Sequence, residues 1–598
     1  MRVPPRLRVI CLLLPALGLV PTGSEGQECP HGQISYIFVD NRSIFDLAEV
    51  DPDARFRWAY GLANKLHMRT REEFILDELL FRVGDCLDPT LLEETGRLLR
   101  GYRFIGQSDV FALAQLDGTQ HVNVYTQDEW TTRVDLGIRV DDGLRFTGLD
   151  VSEENLLGRG ILIRGFFRED KEQRDVGFEF ETPRLLGTRW DHRLSFGSTR
   201  KGRFFEEAFL YPFVGEIGRV AARQSLLWRE TLFAYAVPEH PQHTHLLVPF
   251  LDERADLVVG FRLGEPGNLT VLGLGASREA IRFRDFPSGA EYVVGGDFSV
   301  TQPVDSAGIE AVLAQAVTRR ANRLNVFLGQ RNLRFVQRRG LDSFKGIQDV
   351  QTGTEVVVGL GRALKFFQEG GGTSPDDLHT QVAFFAGGAW NGWTVNTLAS
   401  TEARQVYFPG GGRAEWDDIF AEFDAFVYWQ PPSRGDHTIL IRLSGAGGWS
   451  LTTPFQLTLG GRNAVRGFRD EDFPGSHRVL VSVEDRVYLP WPAPELFDFG
   501  LSLFMDLGHM HAGEVPFGRD SGWRAALGGG IRFGLPPGTT TMARIDLALP
   551  LSRTVRPKDL ILRLSLRELL GILPGFRDDQ MMRSLRSGVK PNILSPAW

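Results

Sequence analysis

Apolar and polar residues alternate along most of the chain after residue 130, with the two-residue period of a β-strand. The pattern is clearest in residues 175–183, 544–551 and 559–568, where apolar side chains fill most of one face and charged or small residues fill much of the other. No helical period interrupts it. The pattern therefore predicts a region built from strands and turns over residues 131–570.

Two architectures satisfy this alternation. A soluble sandwich turns its apolar faces toward each other, whereas a membrane barrel turns them toward lipid. The region has over 400 residues, a size that transmembrane barrels reach and that would be awkward for a sandwich. In hydrocarbon, every backbone group needs a partner within the protein, so the sheet must close on itself. We predict a mainly β protein with a transmembrane antiparallel β-barrel.

Residues 27–130 follow a different pattern. A strand over 33–41 precedes two segments with helical periodicity, at 71–80 and 89–102, and Asp88-Pro89 is a typical helix start. Two more strands flank Asp117-Gly118, a hairpin signal. We predict a small α+β domain in the order strand, helix, helix, strand, strand, with an insertion at about 45–68.

The N-terminal sequence predicts that the protein is exported. Arg2, Arg6 and Arg8 precede an apolar run over 9–20, and small residues follow it, as in a secretory signal spanning 1–26. The formal net charge of −8 and the lack of a basic block argue against nucleic-acid binding. The 67 glycines and 43 phenylalanines suit a β protein rich in turns and aromatic residues.

Beyond the predicted signal, the chain contains two cysteines, Cys29 and Cys86. An oxidising compartment permits a disulfide between them, but pairing does not follow from sequence. A disulfide and two separate thiols remain alternative interpretations.

A turn motif over 460–475 joins two predicted strands and contains Val465-Arg466-Gly467-Phe468. In the strands that follow, Glu484 and Asp506 lie opposite the valine and leucine faces, so both would point into a barrel lumen. A loop folded into that lumen would bring the Arg466 guanidinium to these carboxylates. Gly467 would permit a sharp reversal, and Val465 and Phe468 would pack against the wall. A solvated surface loop is the alternative.

The motif VRGF, followed by VSVEDR, LFMDLG, GGGIRFG and RIDLALPL, resembles the BamA/TamA superfamily of outer-membrane assembly and translocation proteins. EENLLGRGILIRG and ETPRLLGTRW resemble the first strands of that barrel, and residues 27–130 resemble a periplasmic POTRA domain. The resemblance implies about 16 strands and a loop inside the lumen, with Arg466 paired to Asp506 and Glu484. It also implies an outer-membrane location in a Gram-negative-type bacterium, with the N-terminal domain in the periplasm.

Two features depart from the family pattern. The chain has room for about one POTRA domain, which leaves docking to accessory periplasmic proteins open. Residues 571–598 follow the last predicted strand, and we predict that they form a C-terminal periplasmic extension.

These expectations lead to two functional hypotheses. The first is insertion of β-barrel proteins or translocation of polypeptide, with unfolded polypeptide clients and outer-membrane lipid as partners. The alternative is a passive or ligand-selective channel lined by Arg544, Asp546, Arg563 and Arg567. No hydrolase, metalloprotease or phosphate-loop motif is present, so we expect no enzymatic activity and no cofactor. His240, His243 and His245 lack a completing ligand at a recognisable spacing, so we expect no metal site.

Overall fold

The structure is a computed structural model. It describes residues 29–45, 47, 57–139, 145–238, 240, 242–363, 376–407, 415–433, 435–461, 464–539, 542–551, 559–568 and 580–581. The predicted signal over 1–26 lies outside these residues. Among the described helices, none has the length and apolar character needed to cross a membrane.

The N-terminal domain contains a three-stranded sheet in the order β1-β3-β2, with β1 parallel and β2 antiparallel to β3. Its helix α1 lies in the predicted insertion. The elements in chain order are β1 (Ile34–Arg42), α1 (Arg57–Leu66), α2 (Glu72–Glu78), α3 (Pro89–Arg100), β2 (Ile105–Ala114) and β3 (Gln120–Asp128).

Local sequence explains where these elements begin and turn. The Asp88 side chain caps α3 by accepting a hydrogen bond from the Thr90 N–H at 2.8 Å, and Pro89 occupies the first turn. Between β2 and β3, Gly118 adopts a φ of 83°, which glycine tolerates without strain. The Thr119 hydroxyl and N–H donate to Asp117 and hold the pKa of that carboxyl below its ordinary value.

The helices pack on the sheet around one apolar core, and a disulfide joins Cys29 to Cys86 across a sequence separation of 57 residues. The disulfide closes the segment that contains β1, α1 and α2. The buried residues of the apolar core are Ile34, Phe74, Ile75, Leu79, Phe81, Leu92, Leu99, Phe104, Ile105, Val122 and Val124.

A large antiparallel sheet follows, and its strand order returns to its start because β27 neighbours β4. Its first strands are β4 (Thr132–Arg139), β5 (Arg145–Leu156), β6 (Ile161–Asp170), β7 (Gln173–Thr182), β8 (Asp191–Ser198), β9 (Arg203–Tyr211), β10 (Val220–Ala236), β11 (His243–Glu265) and β12 (Asn268–Arg282). A short 3₁₀ turn, Leu185–Gly187, precedes β8.

The chain then forms a small hairpin and a helix before the long strands resume. These elements are β13 (Glu291–Val294), β14 (Asp297–Pro303) and α4 (Ser306–Leu313). The long strands are β15 (Arg319–Arg339), β16 (Ile347–Ala363), β17 (Asp376–Trp390), β18 (Trp393–Tyr407), β19 (Glu415–Trp429) and β20 (His437–Trp449). After a long loop come β23 (His477–Leu489), β24 (Asp498–His511), β25 (Gly522–Gly534), β26 (Met542–Pro550) and β27 (Ile561–Glu568).

Twenty strands of the described chain form the wall of this sheet, because β13 and β14 only extend β11 beyond its pairing with β12. The expectation of about 16 strands was therefore wrong. That number came from the family resemblance and not from the alternation of this chain. The helix α4, whose N-cap Asp305 accepts from the Gly308 N–H at 2.8 Å, was also missed.

The two faces of the wall differ in the way the alternation predicted. Along β24, Leu501, Leu503 and Met505 are exposed on the outside, while Ser502 and Asp506 are buried inside. Strand β15 repeats this, with an exposed face of Leu324, Val326 and Leu328 and a buried face that includes Arg323, Asn325 and Arg331. Apolar residues thus dominate the exterior of these strands, while charged groups lie inside.

The height of the wall is uneven. Within the described residues, β11 and β15 have 23 and 21 residues, whereas β4 and β27 have 8 each. The ring meets where β27 neighbours β4. We call the β4/β27 junction the seam.

The N-terminal domain packs against one end of the ring, which we call the proximal end. Arg100 donates two hydrogen bonds to Asp349 at 2.8 and 2.9 Å, and the Glu216 N–H donates to Glu94 at 2.7 Å. Further along the rim, the Tyr60 hydroxyl donates to the Glu495 carbonyl at 3.0 Å. The contacts are spread over several turns, so the domain is held across this end.

We expect the double substitution Cys29→Ser, Cys86→Ser to lower the free energy of local unfolding of β1 by about 2–5 kcal/mol, because a long loop loses its closure. Hydrogen–deuterium exchange of the full chain measures this as faster exchange in residues 34–42. Exchange equal to wild type would show that the disulfide does not stabilise the domain.

Candidate functional site

The loop between β20 and β23 turns into the interior of the ring. Within it, β21 (Leu457–Thr458) pairs with β22 (Pro474–Gly475) to form the base of an inner hairpin. Val465 is fully buried near its tip, in an apolar cluster with residues of the wall. The buried members of that cluster are Phe420, Ala446, Leu451, Phe455, Leu457, Leu459, Val465, Leu480, Met510, Val515, Ala526 and Met581.

Arg466 follows Val465 and reaches the wall. Its Nε and Nη2 donate to the two carboxylate oxygens of Asp506 at 2.7 and 2.6 Å, and its Nη1 donates to Glu484 at 2.8 Å. Its backbone N–H also donates to Asp506, and Ser482 bridges the pair. The guanidinium lies 3.4 Å from the centre of the Phe504 ring. The predicted loop thus brings Arg466 to both predicted carboxylates.

Glu484 is the centre of a larger ion network. Besides Arg466, it accepts hydrogen bonds from Arg486 at 2.9 Å, from Arg544 at 2.9 Å and from Arg532. Asp546 lies 2.5 Å from Arg544 and 3.6 Å from Arg466. Asp342 accepts from Arg486 at 3.3 Å.

The charges in this network balance, because four arginines meet the carboxylates of Glu484, Asp506, Asp546 and Asp342. Buried ion pairs gain little net stability over an apolar core, but removal of one partner leaves an uncompensated charge. The network therefore fixes the position of the loop more than it stabilises the sheet.

The residues flanking Arg466 pack closely. A Cβ on Gly467 would lie 2.5 Å from the Ala526 Cβ, and Gly467 does not have a positive φ. As predicted, Gly467 lies in a sharp turn, which the hydrogen bond from the Phe468 N–H to the Val465 carbonyl closes at 3.2 Å, and the glycine also permits close approach to β25. Phe468 is partly buried and meets Phe473 edge to face.

The last strand of the ring also holds the loop. Arg563 of β27 donates from Nε to the Arg466 carbonyl at 2.9 Å and from Nη1 to Asp470 at 2.9 Å, and it also donates to the Phe468 carbonyl. The loop thus lies along the part of the wall formed by β23 to β27, from Glu484 and Asp506 to Arg563 of the seam strand. The side chain of Arg567 lies outside the described residues.

Several of these contacts were not predicted. Arg486 and Arg532 occupy inward positions of β23 and β25, but alternation alone does not tell which inward charges meet across a ring. Gly508 also escaped notice: a Cβ there would lie 2.7 Å from Val465, so the glycine makes room for the loop. The inward alternation of charged residues was the available signal.

Two residues of the C-terminal segment lie inside the ring. The Gln580 side chain accepts from the Thr458 N–H at 2.7 Å and from Arg478 at 2.8 Å. Met581 is fully buried in the apolar cluster around Val465. The expected periplasmic extension over 571–598 is therefore wrong for these two residues, and the rest of that segment lies outside the described residues. This position could not be predicted from the sequence, because a single methionine shows no hydrophobic periodicity.

In the predicted polar loop, the side chains of His240 and His243 stack on each other and on an aromatic ring. The two rings stack with centroids 4.2 Å apart, and His243 stacks on Tyr292 at 4.5 Å. Nearby, Gln315 of the segment after α4 accepts from the Tyr235 hydroxyl at 2.9 Å and from the Phe455 N–H at 3.2 Å. This region covers part of the distal end, opposite the N-terminal domain.

The fold and the site define a closed antiparallel sheet whose charged interior holds its own loop. No family model and no curated protein matches the chain. Solved structures with similarity include BamA from Haemophilus ducreyi lacking POTRA domains 1-3, with 12% identity, a TM-score of 0.39, and coverage of 89% of this chain and 83% of that chain.

Two CdiB structures are also similar. CdiB from Escherichia coli has 13% identity and a TM-score of 0.36, with coverage of 91% of this chain and 92% of that chain. CdiB from Acinetobacter baumannii has 11% identity and a TM-score of 0.38, with coverage of 89% of this chain and 73% of that chain.

We expect Arg466→Ala to destabilise the protein by about 3–5 kcal/mol, because Asp506 and Glu484 lose a buried partner. Thermal unfolding in detergent measures this as a lower melting temperature. Arg466→Lys keeps the charge without the planar fork, so its melting temperature should fall between those of wild type and Arg466→Ala. The exposed Arg334→Ala serves as the control and should match wild type within about 0.5 kcal/mol. An unchanged melting temperature for Arg466→Ala would contradict the role of the network.

Met581→Asp should release the C-terminal segment, because it places an unpaired charge in an apolar cluster. Limited proteolysis with detection of a C-terminal epitope measures the release as faster loss of the epitope. Met581→Leu conserves apolar volume and should behave as wild type. Equal cleavage of Met581→Asp and Met581→Leu would argue against an anchored tail.

Proposed function

We propose that the chain is an integral outer-membrane protein of the BamA/TamA type that assists insertion of β-barrel proteins or translocation of polypeptide. In this proposal the ring is a transmembrane β-barrel, and residues 27–130 form a POTRA-like periplasmic domain. The clients are unfolded polypeptides, and the surrounding partner is outer-membrane lipid. The mechanism requires no bond chemistry, so we propose no enzymatic activity.

The outer face of the wall supports the membrane placement. Leu503 and Leu274 are 63% and 61% exposed, and Val326 and Leu328 are more than half exposed, on strands whose inner faces carry charge. A soluble protein seldom exposes so large a continuous apolar surface. A closed sheet with such an exterior satisfies its backbone internally and presents hydrocarbon to lipid.

The observation that carries the function is the contact between the inner loop and the seam. Within the described residues, β4 and β27 have 8 residues each and so offer fewer ladder hydrogen bonds than β10 and β11, whose register pairs 17 residues. Arg563 then ties β27 to the loop at Arg466. The ring therefore combines a short junction with a loop positioned to hold one of its two strands. At such a junction a client strand can pair with the edge of the sheet.

The N-terminal domain supports delivery of an extended client. Within its described residues, β1 and β2 each pair only with β3, so both are edge strands. An edge strand offers unpaired N–H and C=O groups to an incoming strand. Because Arg100 and Tyr60 fix the domain to the proximal rim, a captured segment would be held next to the ring.

The alternative, a passive channel, has less support. Arg544 and Asp546 do line the interior, but they pair with each other and with the Arg466 network. The inner loop and Met581 occupy the space that a channel would leave open. Conductance across a planar bilayer separates the two: a large, steady conductance favours the channel, whereas a small, flickering conductance favours the proposed function.

The proposed function is tested by depletion in the native bacterium, followed by quantitative proteomics of the outer membrane. We expect loss of many barrels for a general insertion role, or of one exported protein for a dedicated translocation role. Wild type should restore the lost proteins, as should the control Arg334→Ala. Arg563→Ala should restore them poorly, because the loop loses its tie to β27. An outer-membrane proteome unchanged by depletion would overturn the proposal.

A further inference from the structure

A cluster of three histidines and one aspartate lies at the distal end of β23, β24 and β25. His509 and His511 are two residues apart on β24, and His477 is the cross-strand partner of His511. The rings of His509 and His511 lie 4.2 Å apart, and those of His477 and His511 stack at 4.6 Å. Asp520 approaches them from the turn before β25.

Strand geometry places the histidines on the outside of the ring. His509 and His511 share the face of Leu501, Leu503 and Met505, because alternate residues of a strand point the same way. They are therefore separate from the Arg466 network, which faces inward. Their polar side chains end the apolar outer face at this rim.

The ligand atoms have spacings that suit a metal ion. The Nε2 of His509 lies 3.4 Å from one carboxylate oxygen of Asp520, and the Nδ1 of His511 lies 3.6 Å from the other. All three ligand atoms lie within 4.8 Å of one another. Ligands bound at about 2.1 Å to a tetrahedral zinc ion are roughly 3.4 Å apart, so little movement is required.

The surrounding backbone holds this arrangement in place. Asp520 accepts the Gly522 N–H at 2.9 Å, and the next residue, Ser521, exchanges hydrogen bonds with Met510 between the two histidines. The turn is thus fixed to β24 at Met510, the residue between the two histidines. A preorganised site of this kind pays less ordering entropy when it binds an ion.

We propose that His509, His511 and Asp520 form a binding site for a divalent transition-metal ion of the zinc class, with His477 stacked next to it. Two imidazoles and one carboxylate are a ligand set that zinc accepts, and they leave a position for water. The ion would join β24 to the turn before β25 at the outer distal rim.

The site was missed in the sequence because its ligands come from two segments. The pair His509 and His511 is visible as a short motif, but a strand pair of histidines alone does not define a site. Asp520 and His477 join it only through the hairpin turn and the register of β23 with β24.

The test uses the full chain purified in detergent without a histidine tag, stripped with EDTA and dialysed. Isothermal titration with zinc chloride should show one saturable site, and elemental analysis should find one zinc per chain. Asp520→Asn keeps the shape of an exposed turn residue and should weaken binding at least tenfold. The double variant His509→Ala, His511→Ala should lose saturable binding. His437→Ala, which changes a histidine paired with Asp485 near the other end of the ring, is the control and should bind as wild type.

Zinc should also raise the melting temperature of wild type and of His437→Ala, but not that of the double variant, because a ligand that binds only the folded state stabilises it. Melting without zinc verifies that Asp520→Asn is folded. The proposal is overturned if wild type takes up no zinc, or if the double variant retains the same affinity and stoichiometry.

Discussion

The burial of charge inside a closed sheet is the constraint on which the rest of this structure depends. The outer face of the wall is largely apolar, so most of the charged groups of the strands point inward, where each needs a partner. Glu484 shows how the protein meets this need, since it receives hydrogen bonds from four arginines on different elements. The one arginine that comes from a loop, Arg466, connects that loop to the wall.

This constraint links the interior to the seam. The inner loop is held by Asp506 and Glu484 of β24 and β23 and also by Arg563 of β27, the seam strand of the same part of the wall. Met581 of the C-terminal segment is buried in the same apolar cluster as Val465. A movement of β27 at the seam would therefore shift the loop through Arg563 and disturb the ion network at Glu484. The N-terminal domain contacts the proximal end of the same ring. The edge strands of that domain are therefore attached to the ring that contains the seam.

The sequence predicted what depends on local pattern. The alternation predicted the two faces of the wall, and Asp88-Pro89 predicted the start of α3. The motif around Arg466, with the inward positions of Glu484 and Asp506, predicted the inner loop and its carboxylate partners. What depends on distant pairing was not predictable. The number of strands was wrong because it was transferred from a family resemblance, and the placement of Gln580 and Met581 was wrong because two residues carry no periodicity. Arg486 and Arg532 were missed because the register between neighbouring strands decides which inward charges meet, and the alternation does not give that register.

The most direct measurement is a cryo-EM structure of the full chain in lipid nanodiscs. We expect a twenty-stranded ring embedded in the bilayer, with the Arg466 guanidinium between Asp506 and Glu484 inside it. A ring that lies outside the bilayer, or a loop that leaves Arg466 in solvent, would show that buried charge does not organise this protein as described.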